Sequence, residues 1–303
     1  MLFGSTTISG EFQPPDENRR RAAIGPTSAL RPQLQRAFDP AHHFQPIPTP
    51  QPDDWLAHHT ETGQTFLQFS TARRNIPDLN RGKIYLQPLG EFDDNSPSLD
   101  KLETFTEAFF GLPAEVLPRV QIHRAFATRV HRDTGRRQLL TRDLLSWLRG
   151  RLPRDGYLIL GVTMTDLYPP DGGDYVFGQA SFRDRVGVYS FARYDPRFFG
   201  QHPADDVETL VLLRSCKVLS HEACHMFNMR HCIYYNCLLN GGNHLGESDA
   251  RPLHLCPVCL RKLHGSVGFH VERRYERLQE FSRDAGFDAE QQWLTNRLNH
   301  LGR

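Results

Sequence analysis

Residues 221–232 read HEACHMFNMRHC, and four of them could do chemistry together. His221 and His225 stand four apart, so a helix puts both imidazoles on one face, one turn apart. Glu222 follows the first histidine, and His231 comes six residues after the second. Two helical histidines, an adjacent glutamate and a third histidine beyond a turn form the pattern of a catalytic zinc site. Three neutral nitrogen ligands leave a fourth position for water, whose pKa zinc lowers to about 7. Glu222 is placed to take that water's proton and pass it to a leaving amine. The expected chemistry is hydrolysis of a peptide bond. The plain alternative is a helix of satisfied histidines without metal; the third histidine and the cluster that follows it argue against that.

That cluster is Cys232, Cys237, Cys256 and Cys259, the last two in a CPVC knuckle read as a loop. Four thiolates fill the tetrahedral shell of a zinc ion and leave no place for substrate, so this site is expected to be structural. Disulfides or unligated buried thiols are the other readings; nothing in the sequence points to the oxidising compartment that disulfides need. A redox CxxC would open a helix after a strand in a thioredoxin-like unit, a context the neighbourhood of Cys256 lacks. Cys216 and Cys224 fall on the active-site helix and are expected to be buried as small apolar residues.

These motifs resemble the archaemetzincins, the archaelysin family of metallopeptidases in the metzincin clan, and in particular the longer animal-type members. The likeness rests on the three-histidine motif, the cysteine directly after its third histidine, a second cysteine five residues on and the later CxxC. GVTMTDLYP, VFGQAS, GVYSFARY, LLRSCK and RPLHLCPVCLRKL look similar too, over roughly residues 80–280, with a weaker likeness back to about residue 35. The resemblance implies an α/β (α+β) metzincin-like domain with a twisted mixed sheet and an active-site helix. It implies two zinc ions: a catalytic one on His221, His225 and His231 with Glu222 as base, and a structural one on the four cysteines. The chain departs from the family at two places. Asn228 stands where metzincins usually have glycine at positive φ, and asparagine is the commonest non-glycine residue there. Leu239 stands where the family tends to have a methionine beneath the metal; leucine fills similar volume but packs less adaptably.

The 303 residues suffice for one large domain or two small ones, and the formal net charge is +1. A near-neutral chain has no strong attraction to nucleic acid or acidic membranes, which argues against a nucleic-acid-binding zinc module. The longest apolar stretches, such as 157–163, fall far short of the roughly 20 residues of a membrane helix. No secretory signal is visible at the start, so cytosol is expected, with the nucleus as the second compartment. The chain is expected to act as a monomer on a peptide or protein substrate, with no nucleic-acid or membrane partner. A catalytically weak or inactive zinc-binding protein that recognises peptides is the alternative, motivated by Asn228 and Leu239.

The elements that must position these residues read as follows. Residues 1–35 lack a sustained apolar period and are expected to be flexible. Residues 36–82 form an extension of short helices and loops packed on the core, which runs over 83–285, with a C-terminal helix over 286–303. Lys83–Leu89 is a strand. Leu99–Phe110 is a helix, with Leu102, Phe105, Ala108 and Phe109 on one side, ended by Gly111 and Pro113. Val120–Arg129 is a second strand, Thr141–Leu152 a helix capped by Thr141, and YLILGVTMTDLY one strand covered on both faces. Val176–Phe182 and Gly187–Tyr194 are further strands; the resemblance to metzincins implies that the region around Val176–Ser181 is the edge that pairs with substrate, an ordinary hairpin being the other reading. Residues 206–227 form the active-site helix, its apolar surface built on Leu210, Leu213 and Val218 and widened by Val211, Leu212 and Leu219. Residues 269–285 and 287–300 are helical. His244, His254 and His264 are expected to have surface or structural roles.

Overall fold

Contacts divide the chain into two units, Pro77–Met226 and a discontinuous one made of Met1–Ile76 with Phe227–Arg303. The structure is a computed structural model that describes residues 12–41, 43–122, 126–203 and 205–302.

The discontinuous unit begins with four short helices: α1 (Glu17–Ile24), α2 (Pro32–Phe38), α3 (Trp55–His58) and α4 (Phe66–Thr71). Helix α1 lies inside the segment expected to be flexible; residues 1–11 of that segment lie outside the described residues. Asp16 caps α1 by accepting from the Arg19 amide at 2.8 Å, and only Ala23 and Ile24 are buried. A helix that buries just its last two residues leaves no apolar period to read. Its C-terminus is held from far along the chain: Arg261 donates to the carbonyls of Ile24 at 2.6 Å and Pro26 at 2.8 Å. Arg297 does the same for α2, donating to Arg36, Ala37 and Asp39 carbonyls at 2.7–3.1 Å. These guanidinium groups satisfy carbonyls that a short helix cannot pair internally. Helix α4 starts in a capping box between Thr65 and Gln68.

The unit Pro77–Met226 contains β1 (Lys83–Leu89), α5 (Leu99–Phe110), β2 (Ala114–Val116), β3 (Thr128–Val130), β4 (Arg137–Leu140), α6 (Thr141–Arg149), β5 (Gly156–Thr163), β6 (Asp166–Tyr168), β7 (Gly178–Ser181), β8 (Val186–Ser190) and α7 (Val207–Met226). Five strands form a sheet in the order β2-β1-β5-β8-β7, and three form a second in the order β3-β4-β6. The larger sheet is parallel except for β7, which runs antiparallel to β8 at the edge. β1 and α5 have the expected bounds, and Gly111 ends α5 in the left-handed conformation.

Further expectations need correction, among them Gly187–Tyr194, whose strand β8 ends at Ser190 ahead of a 3-10 turn over Ala192–Tyr194. YLILGVTMTDLY is not one strand: its two ends enter different sheets as β5 and β6. The Thr163 hydroxyl accepts from the Thr165 amide at 3.1 Å, a local turn that takes the chain off the first sheet. Val120–Arg129 is not a continuous strand. Val120 makes a single bridge to Leu89, residues 121–122 and 126–127 are outside any strand, and β3 begins at Thr128; residues 123–125 lie outside the described residues. Thr141 is the first helical residue of α6 and not its cap; its hydroxyl donates to the Tyr168 carbonyl at 3.3 Å, and the helix ends at Arg149.

All eight residues of β5 are buried, as a strand covered on both faces requires. On one face Ile159, Val186 and Val188 pack with Leu144 and Leu148 of α6. On the other, Gly187 leaves room for two larger neighbours. A Cβ there would meet the Tyr189 hydroxyl at 2.0 Å and Met226 Cε, at the end of α7, at 2.5 Å. Among the described residues no helix is long and apolar enough to cross a membrane.

The discontinuous unit resumes with α8 (Leu245–Ala250), α9 (Pro257–Val267), α10 (Val271–Ala285) and α11 (Asp288–Leu301). α9 packs against α1, α2 and α4, and α10 against α11. Residues 45–47 lie along the loop after Cys232, with Ile47 donating to the Tyr234 carbonyl and Asn236 to that of Gln45. The three histidines set aside in the sequence each have neighbours in the structure. His244 caps α8, His254 stacks on Trp293 at 3.6 Å and meets Glu290 at 3.0 Å, and His264 packs edge-on to Phe38 and Phe269, where burial lowers its pKa.

Gly187→Ala is expected to destabilise the protein by about 1–3 kcal/mol, the usual cost of overpacking. Denaturant unfolding reads this; an unchanged midpoint would show that Tyr189 and Met226 give way freely.

Candidate metal centres

Helix α7 presents the histidine pair because most of its remaining surface is buried. The buried residues include Val207, Val211, Ser215, Leu219 and Ala223, together with Leu212, Cys216, Cys224 and Met226. Leu210, Leu213 and Val218, expected to lead the apolar surface, are only half-buried. The buried stripe was hard to see because serines interrupt it. Ser215 and Ser220 turn their hydroxyls back to the carbonyls of Val211 and Cys216 at 2.7 and 2.6 Å, so they enter the core already satisfied. Cys216 and Cys224 are buried as expected, and burial pushes the Cys216 thiol well up.

One turn of this helix brings the Nε2 atoms of His221 and His225 to 3.1 Å, with the rings at 84°. Two nitrogens bound to one tetrahedral zinc at 2.0–2.1 Å are about 3.4 Å apart. The pair therefore fits a shared ion with little adjustment. Glu222 is next to it on the helix. The Tyr189 hydroxyl, wholly buried, has its pKa raised by burial and secondarily by the negative charge of Glu222.

After Met226 the chain enters the discontinuous unit. Asn228 has φ +66°, the left-handed turn that glycine takes most easily. Its side chain donates to the Arg73 carbonyl at 3.0 Å. The Gln64 amide donates to the Asn228 carbonyl and accepts from the Arg230 amide, both at 3.1 Å. His231 Nδ1 lies 2.6 Å from Glu61 Oε1. Sequence reasoning missed Glu61 and Gln64: they stand more than 160 residues from their partners, and neither belongs to a motif.

The four cysteines of the second cluster come together as expected. Their sulfurs all lie within 4.8 Å of one another, and Cys232 Sγ is 3.6 Å from Cys256 Sγ. Sulfurs on one tetrahedral zinc at 2.3 Å are about 3.8 Å apart. None of the six cysteines is joined in a disulfide. The Cys256 and Leu239 amides donate to Cys237 Sγ, at 3.3 and 3.5 Å. Burial pushes the Cys256 thiol well up. Burial also works against ionisation of Cys232, but contacts with the three other sulfurs hold it well below the ordinary range. Four thiolates at this separation repel one another, and a bound cation offsets that repulsion. CPVC is not a loop: Cys256 caps α9, Pro257 takes the first helical position and Cys259 sits in the first turn. Leu239 is fully buried, and its carbonyl accepts from the Cys232 amide at 2.8 Å. Asn240, which sequence reasoning also missed, ties the loop by accepting from the Cys237 amide and donating to the carbonyls of Cys232 and Tyr235.

A profile of Peptidase family M54 matches residues 102–265. Human archaemetzincin-2 is 37% identical over 286 residues, which span 84% of this chain and 79% of that protein. Mouse archaemetzincin-1 is 36% identical over 292 residues, 85% of this chain and 58% of that protein. The crystal structure of archaemetzincin from Methanopyrus kandleri is 30% identical, covers 62% of this chain and 96% of that one, and superposes with a TM-score of 0.47. The extent of the profile match, with the identity and coverage of archaemetzincin-2, establishes that the chain belongs to Peptidase family M54, the archaemetzincins, and is a zinc metallopeptidase.

Proposed function

We propose that His221, His225 and His231 hold one catalytic zinc ion, and that Glu222 is the general base in the hydrolysis of a peptide bond. The observation that carries this is the 3.1 Å separation of the His221 and His225 Nε2 atoms, a spacing suited to a common ion. His231 follows His225 by six residues, across the left-handed turn at Asn228. When bound, zinc supplies Lewis acidity, polarising the scissile carbonyl and acidifying water. Glu222 takes the proton of the attacking water and returns it to the leaving amine. β7 offers the outer edge of the larger sheet to an extended peptide, whose backbone pairs with it as a further strand. Four buried thiols with no position left for substrate support a second, structural zinc on Cys232, Cys237, Cys256 and Cys259.

A second reading, a peptide-recognition protein with weak or no catalysis, is motivated by Asn228 and Leu239, of which Asn228 can be weighed on its backbone. Its backbone has the required positive φ, and its side chain is hydrogen-bonded there. This favours hydrolysis over the second reading.

Glu222→Gln is expected to lower peptide cleavage by about 10²–10⁴-fold while zinc content stays at the wild-type level. Mass spectrometry of a broad peptide mixture, with and without chelator, reads the first, and metal analysis the second. Wild-type cleavage by the variant refutes the base assignment; no cleavage by the wild-type protein under any zinc loading supports the recognition reading. Cys256→Ser is expected to lose one equivalent of zinc and to melt at a lower temperature, because thiolate–zinc binding contributes folding free energy. An unchanged melting curve with full zinc content refutes the second site.

A further inference from the structure

Glu61 lies outside residues 102–265, the part of the chain that the peptidase profile matches. Its carboxylate is nonetheless set against a histidine of the zinc motif. Glu61 Oε1 is 2.6 Å from His231 Nδ1, and the two side chains are only 18% and 22% exposed. The carboxylate is itself held in place: the Trp55 indole N–H donates to the same oxygen at 2.6 Å. Trp55 in turn is fixed from several sides. Its backbone amide donates to the Glu247 carboxylate at 3.1–3.2 Å, its ring stacks on His59 at 3.6 Å, and it meets the His231 ring edge-on at 5.3 Å. A Cβ at Gly241 would meet the indole at 2.3 Å, so a glycine leaves room for that ring. Gly63, at φ +68°, would meet Ile233 Cγ1 at 2.6 Å if it carried a Cβ, so the loop after Glu61 lies tight against the segment after His231.

An imidazole has two nitrogens, and the hydrogen bond made by one sets which tautomer the other presents. A carboxylate fixed at Nδ1 accepts the proton there and leaves the Nε2 lone pair free for a metal, with the ring unable to turn away. We propose that Glu61, oriented by Trp55, is a positioning residue for the catalytic zinc: it selects the tautomer and the orientation of His231. This rests on the reading of His231 as a zinc ligand. It gives the segment before the family domain a part in building the metal site, beyond a role as packing.

The test measures Zn²⁺ affinity at the histidine site of the full chain by competition against a chelator, with Co²⁺ spectra separating nitrogen-rich from sulfur-rich coordination. Glu61→Ala is expected to weaken that site by about 10–100-fold, the usual effect of removing an outer-shell partner. Glu61→Gln keeps an oxygen that can accept from Nδ1–H, and is expected to recover most of the loss. The thiolate site of both variants should be unchanged. Equal affinity in wild type and both variants overturns the proposal. If Glu61→Ala fails to fold, nitrogen-detected NMR of the metal-free wild-type protein decides. A neutral His231 protonated at Nδ1 supports the proposal, and one protonated at Nε2 overturns it. His231→Ala runs in parallel. Loss of the nitrogen-rich site in that variant alone refutes the positioning role of Glu61 and leaves His231 a ligand. Retention of that site in His231→Ala refutes the reading on which the proposal rests.

Discussion

A metal ion that takes four ligands in a tetrahedron needs donor atoms between three and four ångströms apart, and side chains left to themselves do not gather so closely. Holding them there costs conformational entropy and, for cysteine, electrostatic repulsion. The protein meets this requirement with backbone. At the histidine pair it uses one turn of a 20-residue helix, which puts both rings on one face, where their rotamers bring the two Nε2 atoms to 3.1 Å. At the cysteines it uses a helix start, two amides aimed at one sulfur, and a buried asparagine that binds the loop at three points.

The rigidity of α7 comes from what lies beneath it. β5 is buried along its whole length, so the sheet must be covered on both faces. On the face opposite α6, Gly187 leaves room for the Tyr189 hydroxyl end and the Met226 side chain to come close. The end of the helix that carries His225 is therefore seated on a surface with little spare volume, and a packed interior of this kind does not adjust smoothly.

The discontinuous unit solves a different problem. Its first helices are too short to be stable alone. They persist because arginines from α9 and α11 reach back to their last carbonyls, Arg261 to α1 and Arg297 to α2. The same helix α9 begins at Cys256, so the thiolate cluster and the N-terminal segment share one support.

Local pattern was enough for much of this. Periodicity, Gly111 and Pro113 mark α5 to the residue, and the i, i+4 histidines announce their own proximity because helix geometry is the same everywhere. The cysteine spacing pointed to a four-thiol cluster, and Asn228 was recognisable as the residue at a left-handed turn. Other features depend on partners that sequence does not bring together. The division of residues 157–168 between two sheets depends on which strands lie alongside, and the buried stripe of α7 on which polar groups can satisfy themselves. Glu61 meets His231 across 170 residues, and nothing near either one signals the other. A hydrogen bond between distant segments acts over a few ångströms, so it becomes visible only once the chain has folded; a helical turn is encoded in any five consecutive residues.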